Sequence, residues 1–343
     1  MKNIFALFVF PLFLFSCDHS NIPTKPAHSG SAGEIIVVAS NSLWDSGIDS
    51  VIQDVFQYYL PMLPQPEAAF SILHYTPEQF SMILERHRNI ISIKINPNLP
   101  LNESKFDLLK DKWAKEQLVL EVEAQTTEKI KELFRTKGKD IVRMINEYEN
   151  KRLSWLFYAY PAKPLMSIVK NKFDVDLIFP QGFEVAKDSS NFIWLKREKS
   201  RNLSGNVYYI IQNLVIYTSP YDSDSAFTDA SLLKNRDSFV KMIPGPSEGS
   251  FMTTVYAFQD MNLYPEGTDV SIDDKYGRLI RGLWKMENAF MGGPFISLST
   301  YDEKNNRIIT IEGEVFAPKF DKREYLRELE AVLFSLRFNN ENP

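Results

Sequence analysis

Apolar positions recur along this chain with two different periods, and the switches between them predict its layout. Glu34-Ile35-Ile36-Val37-Val38-Ala39 is a β-branched run that reads as a buried strand. Ile48, Val51, Ile52, Val55, Phe56 and Tyr59 then repeat at helical spacing, and Pro61 ends that helix. Phe70–Tyr75 reads as a second strand. Thr76-Pro77-Glu78-Gln79 supplies an N-cap, a first-turn proline and a capping-box glutamine for a helix running to Arg88. Asn89–Ile95 and Leu118–Glu123 are further strands. A long helix is expected over Thr127–Leu153, with Ile130, Leu133, Phe134, Ile141, Ile145 and Tyr148 on one side and Gly138 weakening its middle. This alternation predicts a small α/β layer.

Beyond Pro161 and Pro164 the pattern turns strand-rich. Val175–Phe179, Phe183–Lys187 and Phe192–Arg197 are short strands, with Pro180-Gln181-Gly182 as a turn. A longer strand over Val207–Thr218 precedes a helix over Asp229–Met242, and Pro244-Gly245-Pro246 breaks the chain. Strands follow at Phe251–Phe258, Pro294–Tyr301 and Arg307–Phe316, the last two joined by a turn at Asn305-Asn306. Asp321 is the expected cap of a final helix, with Glu324 completing the capping box and Leu326, Leu329, Val332, Leu333 and Leu336 facing inward. The fold class expected is therefore α+β: a small N-terminal α/β unit, residues 33–160, then a larger, mainly antiparallel sheet flanked by helices, residues 161–343.

Ahead of both units stands a different pattern. Met1-Lys2-Asn3 is followed by an apolar run from Ile4 to Phe15, too short to span a bilayer and interrupted by Pro11. A basic start, an apolar core and a small residue before Cys17 make residues 1–16 an export signal. Leu14-Phe15-Ser16-Cys17 resembles the bacterial lipobox, in which the cysteine is acylated and becomes the first residue; Phe15 is bulkier than the usual residue there. Residues 17–32, polar and rich in Ser, Pro, Gly and His, read as a flexible tether. The expected location is the cell envelope, with the membrane engaged through acyl chains on Cys17. Which membrane, and which face of it, stays open.

Composition narrows the picture further. The formal net charge of −5 argues against a nucleic-acid partner, whose binding surfaces are basic. Cys17 is the single cysteine, so disulfides and thiolate metal sites within one chain are excluded. Packing must supply the stability, and 25 Phe and 15 Tyr carry the apolar area for it.

Several strings of the second half resemble a known family. They are Phe192-Ile193-Trp194-Leu195, Arg236-Asp237, Ile243-Pro244-Gly245-Pro246, Arg281-Gly282-Leu283-Trp284, Phe290-Met291-Gly292-Gly293-Pro294-Phe295 and Glu312-Gly313-Glu314-Val315-Phe316-Ala317-Pro318. Together they resemble the DUF4837 lipoprotein family of Bacteroidetes-type bacteria, a domain of unknown function, so the resemblance implies an address and no activity. From Phe173 onward the order of elements is also similar to the PsbP and Mog1-like fold, with Ser335-Leu336 ending the last helix; such folds serve mainly as binding or assembly modules.

Each candidate for chemistry has a plainer reading. Gly245-Pro246-Ser247-Glu248-Gly249 matches the G-x-S-x-G elbow in letters, but prolines break any entering strand and no histidine follows His87. His19, His28, His74 and His87 lack the i, i+4 pairing of a zinc site, and His87 between Arg86 and Arg88 suits a helix C-terminus. Asp222-Ser223-Asp224 with Asp229 lacks the glycine and closing glutamate of a calcium loop. No metal or cofactor is expected. The candidate binding surface is Tyr276, Arg278, Arg281, Trp284 and Phe290, beside a Gly292-Gly293-Pro294 turn; aromatic and arginine side chains are the usual anchors of recognition. A core role for Trp284 and Phe290 competes with it. The function expected is a non-enzymatic envelope module for a protein or glycan; the alternative is an envelope hydrolase in which Ser247 or a carboxylate pair meets a base.

Overall fold

A computed structural model describes residues 25–257 and 264–339. The expected signal segment, Cys17 and the tether up to residue 24 lie outside the described residues. No helix among the described residues is long and apolar enough to cross a membrane.

The first unit runs β1 (Glu34–Val38), α1 (Asn41–Leu43), a π-helical turn (Trp44–Ile48), α2 (Asp49–Phe56), β2 (Ser71–Tyr75), α3 (Met82–Glu85), β3 (Asn89–Ile95), β4 (Ser104–Lys110), β5 (Leu118–Ala124) and α4 (Thr127–Ala159). Its sheet has the order β2-β1-β3-β5-β4, parallel except for β4. Alternation along β1 sorts the two faces. Ile35, Val37 and Ala39 pack under α2 and α4, while Ile36 and Val38 join Ile90 and Val119 on the other side. Thr126 caps α4 by accepting from the Lys129 amide at 3.4 Å. Gly138 is where α4 closes on α2: a Cβ there would lie 2.8 Å from both Val55 methyls, so the glycine serves packing as well as costing helix propensity.

Two expectations for this unit need correcting. The capping box at Thr76–Gln79 forms, with Thr76 N donating to Gln79 Oε1 at 2.9 Å, yet the long helix does not follow. The chain turns instead and α3 is four residues long, because Phe80 is drawn edge-on against Trp113 across the sheet. The tether also ends earlier than residue 32. Ser29 N donates to Arg86 O at 2.8 Å and Ser29 O accepts from Arg88 N at 2.9 Å, so the polar stretch is tied to the unit's edge.

The second unit continues with α5 (Lys163–Phe173), β6 (Val175–Asp176), β7 (Glu184–Ser189), β8 (Phe192–Leu203), β9 (Asn206–Pro220), a 3₁₀ turn (Asp224–Phe227), α6 (Asp229–Val240) and β10 (Phe251–Val255). After it come β11 (Glu266–Ile272), β12 (Lys275–Glu287), β13 (Gly292–Asp302), β14 (Arg307–Phe316), α7 (Arg323–Leu333) and β15 (Arg337–Phe338). The antiparallel sheet has the order β10-β12-β13-β14-β9-β8-β7, with β11 also paired to β12. One face packs against α5 and α7 and the other against α6. The α+β class read from the sequence is the observed one.

Here too the structure departs from expectation. Helix α5 and the β11–β12 hairpin fill stretches to which the pattern assigned no element, and the strand expected over Val175–Phe179 shrinks to two residues. Gly292-Gly293-Pro294 is no turn. It opens β13, pairing with Lys285, Trp284 and Leu283 of β12. Asp321 does not cap α7. The first-turn amides of Lys322 and Arg323 donate instead to the Glu67 carboxylate of the first unit, at 2.9, 2.9 and 2.8 Å. An acid from an irregular segment of the first unit thus takes the cap position, where orphan amides and the helix dipole favour negative charge.

Candidate functional site

The two units meet along α7, and beside that seam lies a cleft of about 360 Å³. Small-ligand sites occupy roughly 300–1,000 Å³ and favour domain boundaries. Helix α7 presents Arg323, Leu326, Arg327 and Glu330 to it, a spacing that keeps all four on one helical face. The first unit contributes Tyr58, Leu60, Pro61 and Leu63 from the segment after α2, and Asn146 and Asn150 from α4. Arg281 reaches in from β12. Three guanidinium groups therefore face one carboxylate among the lining residues.

Each arginine is oriented by a short contact and keeps further donors. Arg281 Nη2 donates to Glu330 Oε1 at 2.7 Å, tying strand to helix. Arg323 uses Nη1 on Ala68 O at 2.7 Å and Nε on Glu324 at 2.7 Å. Arg327 donates through Nη1 to Asn146 Oδ1 at 3.0 Å, while its buried Nε has no hydrogen-bond partner and lies 3.6 Å from Glu324. Tyr58 stands at the rim; burial raises its hydroxyl pKa, and the charges of Arg327 and Arg281 pull it back down. Planar forks held in place with free N–H groups suit a carboxylate or phosphate. Leu60, Pro61, Leu63 and Leu326 add an apolar wall.

Of the five residues singled out from sequence, the structure brings only Arg281 to this cleft. Strand alternation sends Tyr276, Arg278 and Trp284 to the opposite face of the sheet. Trp284 is 1% exposed and packs in the core under α6. The proposed continuous patch is lost with it. Arg278 is engaged by Asp229 at 2.7 and 2.9 Å and by Asp269 at 2.8 Å, and Tyr276 donates to Asp269 at 2.9 Å. Phe290 is fully exposed at the β12–β13 turn. Sequence reasoning missed Arg323, Arg327 and Tyr58. The basic i, i+4 pair on the last helix was a visible signal, but nothing in it says that another unit closes over that face.

The family-like strings meet elsewhere, in a sealed cluster. Arg236 of α6 is buried against Glu312 and Glu314 of β14, donating through Nε to Glu312 at 2.9 and 3.0 Å and through Nη2 to Glu314 at 3.3 Å. Its guanidinium lies 3.9 Å over the Phe295 ring, and Asn213 donates to Glu314 at 3.0 Å. Burial first, and then the Glu312 charge, push the Glu314 carboxyl pKa well above the ordinary range, which favours its neutral form beside Glu312. Burial opposes the charge on Arg236, but the two glutamates keep its pKa above the usual arginine value. Paired carboxyls of this kind do acid–base work only where a substrate reaches them, and both are fully buried.

The remaining candidates resolve into local structure. Gly245–Gly249 joins a helix to a strand, the reverse of the elbow's strand-to-helix order, with Ser247 N donating to Ser250 Oγ at 3.1 Å. Asp229 of the calcium-like stretch is spent on Arg278. His74 Nε2 donates to Ala39 O at 2.9 Å and the ring stacks on Trp44, while His87 lies 3.5 Å from Glu34. Among the described residues no group of three or more potential metal ligands occurs.

A comparison with curated proteins finds no match. Among solved structures the chain is similar to the Ran-binding protein Mog1p of Saccharomyces cerevisiae, at 9% identity over 48% of this chain and 89% of that one, with a TM-score of 0.29. It is similar to a point variant of Mog1 at 9% identity over 49% and 92% of the two chains, with a TM-score of 0.28. A family model described as a domain of unknown function, DUF8532, matches residues 28–157, which carry the first unit. The second unit matches the model of the domain of unknown function DUF4837 over residues 162–335, and the chain belongs to that family.

Proposed function

We propose that this protein is a cell-envelope lipoprotein, acylated at Cys17, that acts as a non-enzymatic binding module and holds an anionic group of a protein or glycan partner in the cleft between its units. The convergence of Arg281, Arg323 and Arg327 on one 360 Å³ space carries the reading, because guanidinium forks left with spare donors are favourable only where an acceptor or water completes them. The apolar run before Cys17 supports the address, and the Tyr58 ring with its leucine neighbours supports a ligand that is acidic at one end and apolar at the other.

Two measurements test this. Metabolic labelling with a fatty-acid analogue should mark the native chain and leave Cys17→Ala unlabelled. Crosslinking and affinity capture of the acylated protein from its own envelope should recover a partner that Arg281→Met and Arg327→Met lose. Bait alone from both the native chain and the variants refutes the binding module.

A further inference from the structure

The end of α4 presents an aromatic face that no part of the described fold covers. Lys151, Trp155 and Tyr158 follow one another at i, i+4 and i+7, so they share a stripe, and all three are exposed. Tyr160 is exposed just beyond the helix. One flank of the same turns is occupied: Asn150 lines the cleft and Phe157 packs in the second unit's core. Tyr148 begins the stripe, its ring edge-on to Trp155 with centroids 6.1 Å apart.

Four lysines and three acids border this stripe, Lys151 among them on the helix itself. Lys110 Nζ lies 5.9 Å from the Tyr148 ring, and Lys115 and Lys25 are exposed on the adjoining edge. Glu147 is an exposed acid one turn before Lys151; Glu116 lies within 4.0 Å of His28, and Asp111 Oδ1 accepts from the Gln117 amide at 3.2 Å. The described chain also begins here. Lys25 Nζ donates to Asp111 O, and Pro26 O accepts from Lys115 N at 2.8 Å. Asp111 in turn bears on Tyr148.

We propose that this face of α4 rests on an anionic lipid bilayer, Trp155, Tyr158 and Tyr160 seated at headgroup depth and the lysines over the lipid phosphates. Trp and Tyr favour that depth because an apolar ring and a polar handle are both satisfied there. Each lysine near an anionic surface adds about a fivefold gain in partitioning. The eight residue steps from Cys17 to Lys25 span at most about 28 Å, so a chain anchored at Cys17 keeps this face beside the membrane. Only that tethering step rests on the function proposed above; the aromatic and basic face stands without it.

The test uses the full chain with phosphatidylglycerol vesicles carrying brominated acyl chains. The difference in emission between the native chain and Trp155→Phe isolates Trp155. Its signal should shift to the blue and be quenched by the brominated lipid, and Lys151→Ala should weaken vesicle binding about fivefold. A chain that sediments with vesicles while Trp155 stays open to aqueous iodide overturns the face and leaves the anchor standing. Quenching of Trp155 in Cys17→Ala supports the face even if the lipid anchor fails, and a chain that does not sediment at all overturns both.

Discussion

Glu67→Ala should be among the most damaging single changes outside the core, although Glu67 lies in an irregular segment. Its carboxylate is buried and accepts three hydrogen bonds from the amides of Lys322 and Arg323. Lys322 is itself buried and its ammonium is 4.0 Å from the same carboxylate; burial lowers its pKa and Glu67 opposes that. Truncation strands two donors, one of them fully enclosed. A buried unsatisfied donor costs about 1–3 kcal/mol, and losing an N-cap about 1 kcal/mol, so the variant should lose about 3 kcal/mol. Glu67→Gln keeps an acceptor oxygen and forfeits mainly charge and its dipole interaction, about 1 kcal/mol. Urea titration followed by far-UV circular dichroism gives both values, and hydrogen exchange at the Lys322 and Arg323 amides locates them. Equal losses below 1 kcal/mol for the two variants, or unchanged exchange at those amides, would refute the cap.

Two further changes probe the second unit. Folding raises the Glu314 pKa above the ordinary value of 4.5, so stability fully present below that pH is lost as pH rises through the folded pKa. Glu314→Gln, neutral at every pH, should flatten this fall in denaturation midpoints measured from pH 4 to 9, and an unchanged slope sinks the assignment. A Cβ on Gly293 would sit 1.9 Å from Val315 O, backbone that cannot swing aside. Gly293→Ala should therefore cost about 3 kcal/mol in thermal or urea unfolding, whereas Gly249→Ala, at φ +71° with open space around it, should cost about 1 kcal/mol; equal costs at the two positions would show that β13 and β14 part easily.

What the sequence disclosed follows from how local each determinant is. Strand β14 matches its expected limits because Arg307–Phe316 carries its own signals, a β-branched run over Ile308–Ile311 and a turn at Asn305-Asn306, where Asn306 takes φ 46°. Helix α4 was legible from its apolar stripe, though it runs on to Ala159. Helix α3 was not, because its capping box forms while tertiary contacts of Phe80 set where the chain goes next. The β11–β12 hairpin hid because Asp273 and Asp274 supply its turn at φ 50° and 59°, positions that favour glycine or asparagine. The site was the least legible part. Arg281 and Trp284, three apart on one strand, look like partners in sequence, yet strand alternation sends them to opposite faces of the sheet.

The cleft also explains why neither unit is sufficient for it. The DUF4837 match begins at residue 162, yet the cleft needs Tyr58, Leu60, Pro61, Leu63, Asn146 and Asn150, all before that boundary. The first unit holds the arginines as well as walling them in: Asn146 accepts from Arg327, Ala68 O from Arg323, and Glu67 fixes the first turn of the helix that carries both. Leu63 and Phe157 extend the second unit's own apolar core across the same seam. A fragment cut at residue 162 would expose that core, release the N-terminus of α7 and leave Arg327 without its acceptor. The charges of Arg281, Arg323 and Arg327 would survive in such a fragment, but the contacts that place Arg323 and Arg327 would not. The anion binding proposed for this cleft is therefore a proposal about the junction, and under it a change at Glu67 should reach ligand affinity through the placement of Arg323 and Arg327 as well as through stability.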